Sequence, residues 1–364
     1  MRILYVTRKY PPSIGGMQRV NFHLSQGLKM TTDLELVSWG GSQKWLPLII
    51  PYFFIKSLWI YARKGPDHIH LGDALLSPLG LILKSLFKRP VSVTVHGLDV
   101  TWKFRLYQFL VPRCLKRLDK IICVSEQTRK ECIIRGVDEE KIVVIPNGVD
   151  PEEFYITEGR LGLKEDLSNR LKIDLGNKKI LLSVGRLVER KGFHWFISET
   201  LPRAIGKRGD VLYLIVGKGP FAGKIRETVR DHDLRDHVLL LGEVDNGTLR
   251  LLYNVSDVLV MPNIKVEGDI EGFGLVALEA ASCGLPVVAS NLEGIKDAIK
   301  HEKNGFLIEP YDAQEFTNVI IKLLKNDEKR QKFGEEAKIF VLQNYSWKTI
   351  SRRHLEEFTG TGAR

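Results

Sequence analysis

A repeated alternation constrains this chain more than any other feature: short apolar runs separated by longer amphipathic stretches. Residues 2–7, 91–95 and 120–124 are runs of the kind seen in parallel strands buried on both faces. A second series follows at 180–184, 213–216, 238–241, 258–261 and 286–289. Between its members lie amphipathic, helix-length stretches near 193–206, 221–231, 247–254, 274–283 and 312–325. Such alternation specifies parallel sheets covered by helices on both faces. The chain has 364 residues, too many for one compact core, so two series predict two doubly wound domains. Ligands of open α/β sheets bind outside the carboxyl ends of the strands, which predicts a site in a cleft between the two.

The join reads as Ile145-Pro146-Asn147-Gly148-Val149-Asp150-Pro151, a turn cluster after a strand. Residues 152–178 are polar and charged with little periodicity, and read as the tail of the first domain and a linker. The predicted domains are 1–167 and 168–344. Met1-Arg2-Ile3-Leu4-Tyr5-Val6-Thr7 reads as a strand, without the charged-then-apolar layout of a signal peptide. Cys114, Cys123, Cys132 and Cys283 lack CxxC spacing and predict a reducing, cytoplasmic setting rather than a disulfide framework.

Charge is spread unevenly. Residues 1–150 hold 22 Lys and Arg against 12 Asp and Glu, a net of +10, whereas residues 151–364 hold 32 of each. The first half therefore suits an anionic partner: a membrane surface, a nucleic acid or a phosphorylated acceptor. Residues 45–62 approach the length of a membrane span, but Pro47, Pro51 and Lys56 favour a packed, buried helix. The alternative is an interfacial surface that dips into lipid. Residues 103–120 interleave Arg105, Arg113, Lys116 and Arg117 with Phe104, Tyr107 and Phe109, next to Trp102, a pattern that suits anionic headgroups. No nucleic-acid motif accompanies them. Peripheral contact with anionic membrane is expected, and no nucleic acid.

The most specific chemistry lies in Glu271-Gly272-Phe273-Gly274-Leu275-Val276-Ala277-Leu278-Glu279-Ala280. Gly272 and Gly274 precede a helix-like run, where backbone can approach a ligand and open amides suit a phosphate. Glu271 and Glu279 accept hydrogen bonds from hydroxyls. Amides for phosphate and carboxylates for hydroxyls fit a nucleotide-sugar. Gly185-Arg186-Leu187-Val188-Glu189-Arg190-Lys191-Gly192 places two cations, Arg186 and Lys191, on a strand-to-helix loop. Such a pair can clamp a diphosphate and neutralise a departing nucleoside diphosphate. Pro11-Pro12-Ser13-Ile14-Gly15-Gly16 leads from the first strand into a helix, where Gly15 and Gly16 allow close approach to an anion. His96 ends a buried strand, beside Gly97.

Together and in this order, these segments resemble the retaining glycosyltransferases of GT-B architecture, in the family 4 (group 1) type. The resemblance also rests on Val124-Ser125-Glu126, the Ile145–Asp150 turn and Val216-Gly217-Lys218-Gly219-Pro220, and it spans nearly the full length. It implies two Rossmann-like domains facing across a cleft, and transfer of a hexose from a UDP- or GDP-sugar to a glycan or lipid-linked acceptor. No metal and no cofactor are implied. By the resemblance, Arg186 and Lys191 hold the diphosphate, Glu279 the ribose hydroxyls and Glu271 the sugar hydroxyls. Amides around Phe273, Gly274 and Leu275 hold phosphate or sugar, and Gly15 and Gly16 approach the diphosphate. His96 lies near the reacting sugar, and Gly217, Gly219 and Glu243 border the base. The family's favoured mechanism is a same-face substitution with no assigned side-chain base. Ser346-Trp347 resembles the family's crossing point, so a helix over about 345–364 is expected to cross back to the first domain. The expected location is the cytoplasm or the cytoplasmic face of the membrane.

Three other signals compete. Asp231-His232-Asp233 matches a bare metal-binding DxD pattern but ends a polar helix, and reads as solvated. His68, His70 and Asp73 have the look of a metal trio, because i and i+2 on a strand share a face, yet a structural or acceptor-lining role is favoured. Gly217-Lys218-Gly219-Pro220-Phe221-Ala222-Gly223 approaches a dinucleotide fingerprint, with Glu243 near the distance of a ribose-binding acid. An NAD-linked enzyme would leave Arg186, Lys191 and the Glu pair unexplained. A non-catalytic nucleotide-sugar-binding subunit is the remaining alternative.

Overall fold

A computed structural model describes residues 1–13 and 15–360. The chain forms two compact units. The first contains Met1–Gly148, Gly268–Phe273 and the chain from Trp347 onward; the second contains Val149–Glu267 and Gly274–Ser346.

In the first unit the elements run β1 (Arg2–Thr7), α1 (Gly16–Lys29), β2 (Asp33–Ser38), α2 (Leu46–Lys64), β3 (His68–Leu71), α3 (Ser77–Phe87), β4 (Val91–Val95), α4 (Leu98–Thr101), α5 (Arg105–Leu115), β5 (Lys120–Cys123), α6 (Glu126–Ile134) and β6 (Ile142–Val144). The six strands make one parallel sheet in the order β2-β1-β3-β4-β5-β6. β4, Val-Ser-Val-Thr-Val, is buried at every position, as a strand covered on both faces must be. Strand order reverses between β1 and β3, so their carboxyl ends flank the crevice where such sheets take ligands.

The second unit runs α7 (Pro151–Phe154), α8 (Arg160–Leu171), β7 (Lys179–Val184) and α9 (Phe193–Trp195). A π-helical stretch (Phe196–Thr200) continues α9 into α10 (Leu201–Lys207). There follow β8 (Val211–Val216), α11 (Ala222–Asp231), β9 (Val238–Gly242), α12 (Asn246–Val255), β10 (Val258–Met261), α13 (Leu275–Ser282), β11 (Val287–Ser290), α14 (Ile295–Ala298), β12 (Phe306–Ile308), α15 (Ala313–Lys325) and α16 (Asp327–Tyr345). This sheet is also parallel, in the order β12-β11-β10-β7-β8-β9, with its switch point between β7 and β10. Side chains close several helix starts: Asp245 accepts from the Thr248 amide at 2.9 Å, and Asp312 from the Glu315 amide at 2.9 Å.

α17 (Trp347–Thr359) belongs to the first unit. Its Ile350 and Phe358 share a core with Ile3, Tyr5, Leu24 and Ile122. Trp347 stacks on His23 at 5.5 Å, and Lys120 pairs with Glu357 at 2.8 Å. Residues 361–364 of the expected terminal helix lie outside the described residues.

Three expectations need correction. Residues 152–178 are not a linker. They form α7 and α8 of the second unit, where Leu163 and Leu167 are buried and Arg160 donates to the Val255 carbonyl at 2.6 Å. The units therefore divide at Gly148/Val149 rather than at 167/168. Gly268–Phe273 groups with the first unit rather than with the sequence around it, because Gly272 packs against the backbone of His96. Finally, residues 45–62 form a helix, but only Ile49, Phe53, Ser57 and Ile60 are buried. One stripe faces the sheet, and the rest of this apolar helix lies on the surface.

Candidate active site

The second unit carries the cationic loop and the buried acid at its switch point. β7 ends at Val184, and the backbone turns through Gly185, where φ is +156°. Arg186 is exposed, whereas Lys191 is only 7% exposed. The Lys191 side chain curls back over the strand end: a Cβ on Gly185 would lie 3.3 Å from its Cε and 3.6 Å from its Nζ. This brings an ammonium to the carboxyl end of β7. The loop is tied to the segment after β10, since the Ile264 amide donates to the Arg190 carbonyl at 2.9 Å and Gly192 lies against the Pro262 carbonyl. The two loops at the switch point thus form one surface.

From β10 the chain reaches α13 through Gly274, whose left-handed backbone (φ 84°) ends in the first turn of that helix. Leu275 opens the helix, and Glu279 sits one turn on, 6% exposed. Its Oε2 accepts a hydrogen bond from the Tyr253 hydroxyl of α12 at 2.7 Å, which fixes the carboxylate in place. Gly217 (φ 136°) and Gly219 follow β8 and let that loop close on the one after β7: a Cβ on either would meet the carbonyl of Gly185 or Leu187. The Leu187 amide donates to the Lys218 carbonyl at 2.9 Å. Glu243, past β9, pairs with Lys218 at 2.8 Å, and both are exposed. The glycine loop that resembles a dinucleotide fingerprint therefore follows the unit's second strand, and its glycines are accounted for by this packing.

The first unit holds the other candidates. Gly15 precedes α1, which begins at Gly16 after β1. His96 ends β4, 9% exposed, with Nε2 3.0 Å from the Gly72 carbonyl. Since a carbonyl only accepts, Nε2 is the donor in this contact. The His96 amide donates to Asp99 Oδ1 at 2.8 Å, and the Ala74 amide donates to Asp99 Oδ2 at 3.0 Å. Burial raises the Asp99 carboxyl above its ordinary range. Glu271 and the buried Phe273 stand in this unit, on the segment whose Gly272 abuts His96.

The other competing signals resolve locally. His68 Nε2 and His70 Nδ1 both meet Ser92 Oγ, at 2.7 and 2.8 Å, and His70 Nε2 meets Thr94 Oγ1 at 3.1 Å. Asp73 turns away from them to bind Arg8 at 3.0 Å. Asp231, His232 and Asp233 lie exposed at the end of α11.

The chain matches two family models: Glycosyltransferase Family 4 over residues 29–153 and Glycosyl transferases group 1 over residues 165–340. It is 31% identical to the UDP-Gal:alpha-D-GlcNAc-diphosphoundecaprenol alpha-1,3-galactosyltransferase of Escherichia coli, over 86% of this chain and 85% of that protein. The chain belongs to the family 4 glycosyltransferases. This glycosyltransferase is also 24% identical to the GDP-mannose-dependent alpha-(1-6)-phosphatidylinositol monomannoside mannosyltransferase of Mycolicibacterium smegmatis, over 98% of each chain. In fold it is similar to Anabaena HepE in complex with UDP and glucose, with a TM-score of 0.78 at 20% identity, covering 99% of this chain and 100% of that one. The enzyme thus has the GT-B architecture.

Motif reading missed several polar groups of this glycosyltransferase. Tyr253 is invisible as a partner of Glu279 because it sits 26 residues away on another helix. In the first unit, Arg8 is buried at the end of β1, bonding to Asp73 and, at 2.7 Å, to Gln43. The spacing of Asp99, three residues past His96, was a signal that could have exposed its part in shaping that turn.

Proposed function

We propose that this glycosyltransferase moves a hexose from a UDP- or GDP-sugar to a lipid-linked acceptor, with retention of anomeric configuration and without a metal. The observation that carries the reading is the surface formed at the β7/β10 switch point: Lys191 folded over the strand end, Arg186 exposed on the same loop, and Glu279 of α13 held by Tyr253 of α12. Cations at that point suit a diphosphate, and a fixed carboxylate suits ribose hydroxyls. The donors and acceptors named for the Escherichia coli and Mycolicibacterium relatives, UDP-Gal or GDP-mannose and a lipid-linked sugar, support the substrate class. So do the cationic first half and the exposed apolar helix α2, which favour work at the cytoplasmic face of a membrane.

In the proposed step the bond between the anomeric carbon and the β-phosphate oxygen breaks. The acceptor oxygen bonds to that carbon from the same face, and its proton passes to the leaving phosphate. Arg186 and Lys191 offset the charge that builds on the diphosphate. Glu271 and His96 are the candidate sugar contacts, and Gly15 and Gly16 the candidate approach of backbone to diphosphate.

The test is a panel of UDP- and GDP-sugars read by thermal shift, followed by transfer assays. One donor should raise the melting temperature by mass action. Glu279→Ala should weaken that donor with the fold retained. Lys191→Ala should slow transfer by about 10²–10³-fold, the usual scale for losing one charge-stabilising group. Transfer should survive EDTA. If no nucleotide-sugar shifts the melting temperature, the reading fails.

A further inference from the structure

The first unit has an apolar face that the donor chemistry does not use. α2 buries the stripe Ile49, Phe53, Ser57 and Ile60, at the spacing of a single helix face. Outside that stripe it is still apolar: Leu48 is 65% exposed and Ile55 64%, with Tyr52 and Trp59 also exposed, as is Trp45 just before the helix. Among the described residues, Gln43–Lys64 is the one helical stretch long and apolar enough to cross a membrane. Its buried stripe belongs to the sheet's core, so the helix lies along the surface of the unit. α5 repeats the pattern, with Leu106, Phe109 and Leu110 exposed.

A cavity of about 290 Å³ opens where α2, the start of α3 and α5 meet. Its walls include Ile50, Leu75, Leu79, Trp102, Phe104 and Leu110, and no lining residue is charged. The phenolic hydroxyl in the lining, that of Tyr107, is engaged by the Asp99 carbonyl. Cations rim the apolar surface. Arg63 lies 4.2 Å over the Trp59 ring, Arg113 3.8 Å over Phe109, and Lys56 5.7 Å over Tyr52. Residues 44–117 hold 12 Lys and Arg against three acids, and two of those, Asp73 and Asp99, are buried.

We propose that this cavity seats one hydrocarbon chain of an anionic bilayer lipid, while α2 and α5 lie in the headgroup layer. Three features select that occupant. A peptide would bring backbone N–H and C=O groups that the lining cannot satisfy. A second copy, docked through the same patch, would set two cationic rims against each other. An anionic lipid supplies an uncharged chain for the cavity and phosphates for the rim, and aromatic side chains flanked by basic ones suit a membrane interface. The inference rests on the proposed lipid-linked acceptor only in that such an acceptor brings the enzyme to a bilayer.

The test uses the full chain with vesicles of mixed phosphatidylcholine and phosphatidylglycerol doped with a phospholipid carrying a diazirine within one acyl chain. After photolysis, adducts are mapped by peptide. Adducts are expected on residues 75–79 and 102–111. They should fall by about tenfold in Leu110→Trp, which fills the cavity mouth, the factor expected when roughly two methylenes' worth of contact is lost. Leu106→Trp is the second variant, and a retained melting transition shows that either is folded. Three results would each overturn the proposal. One is adducts confined to the outer face of α2. Another is adduct yield unchanged in both folded variants. The third is a concentration-dependent dimer that protects residues 102–111. The donor panel runs in parallel on the same protein. Cavity adducts without any nucleotide-sugar shift would leave this assignment standing and remove the donor reading, and the converse result would do the opposite.

Discussion

His354 lies wholly inside the first unit, on α17, with Nδ1 donating to the Ile350 carbonyl at 3.0 Å. Its Nε2 finds no hydrogen-bond partner among the described residues. Burial lowers the imidazole from an ordinary 6.5 to about 4, and burial lowers His68 to about 4 as well. Because the folded values lie below the unfolded one, the unfolded chain binds more protons as pH falls. The stability is complete above 6.5 and is lost on the way down to about 4. At about pH 5 each histidine should lower the unfolding free energy of this unit by about 2 kcal/mol. Denaturant titrations at several pH values check this: the midpoint should fall between pH 7 and 5, and less so in His354→Leu. A midpoint independent of pH would show that neither ring is held neutral. Sequence alone flagged His68 and His70 as a pair on one strand face, but their partners Ser92 and Thr94 lie on the neighbouring strand β4, and His354 arrives from α17. Pairing across strands and helices is not written in local spacing.

At the scale of elements, legibility followed apolarity. β1, β7, β8, β10 and β11 are largely apolar runs and stand out, and β4 alternates Val with Ser and Thr yet is buried throughout. β2 carries Asp33 and Glu35 and is partly exposed, and β12 is three residues long, so neither yields a clear pattern; β6, also three residues, shows only through the turn cluster that follows it. α8 was hidden for a related reason: it buries only Leu163 and Leu167, so polar residues dominate its sequence. The Glu271-to-Glu279 motif was conspicuous as chemistry, but its division between two units was not, because that depends on one close approach. A Cβ at Gly272 would be driven into the His96 carbonyl. Gly272→Ala should therefore cost about 1–3 kcal/mol, as overpacking against fixed backbone does. Thermal denaturation measures it; an unchanged melting temperature would mean that this segment is free to move off β4.

For the whole molecule, the second unit depends on one buried carboxylate. Asp257 is 1% exposed and takes Arg160 and Arg330 at 2.8 Å each, while its other oxygen accepts the Ile180 amide at 2.7 Å. It thereby ties α8, α16 and the start of β7. Asp257→Ala leaves Arg330 without this buried partner and should cost about 3–5 kcal/mol. Urea unfolding would register it, and a loss under about 1 kcal/mol would show that the pairs are solvated like surface ones. The first unit depends instead on a late arrival. Ile350 and Phe358 complete a core begun by Ile3 and Tyr5. On the ribosome, β1 emerges long before its covering helix is synthesised, so the nascent amino-terminal half waits with open apolar surface while the second half folds. That interval is when a chaperone would be needed, and a premature stop just before Trp347 would leave the earliest-made part of the protein the least able to mature.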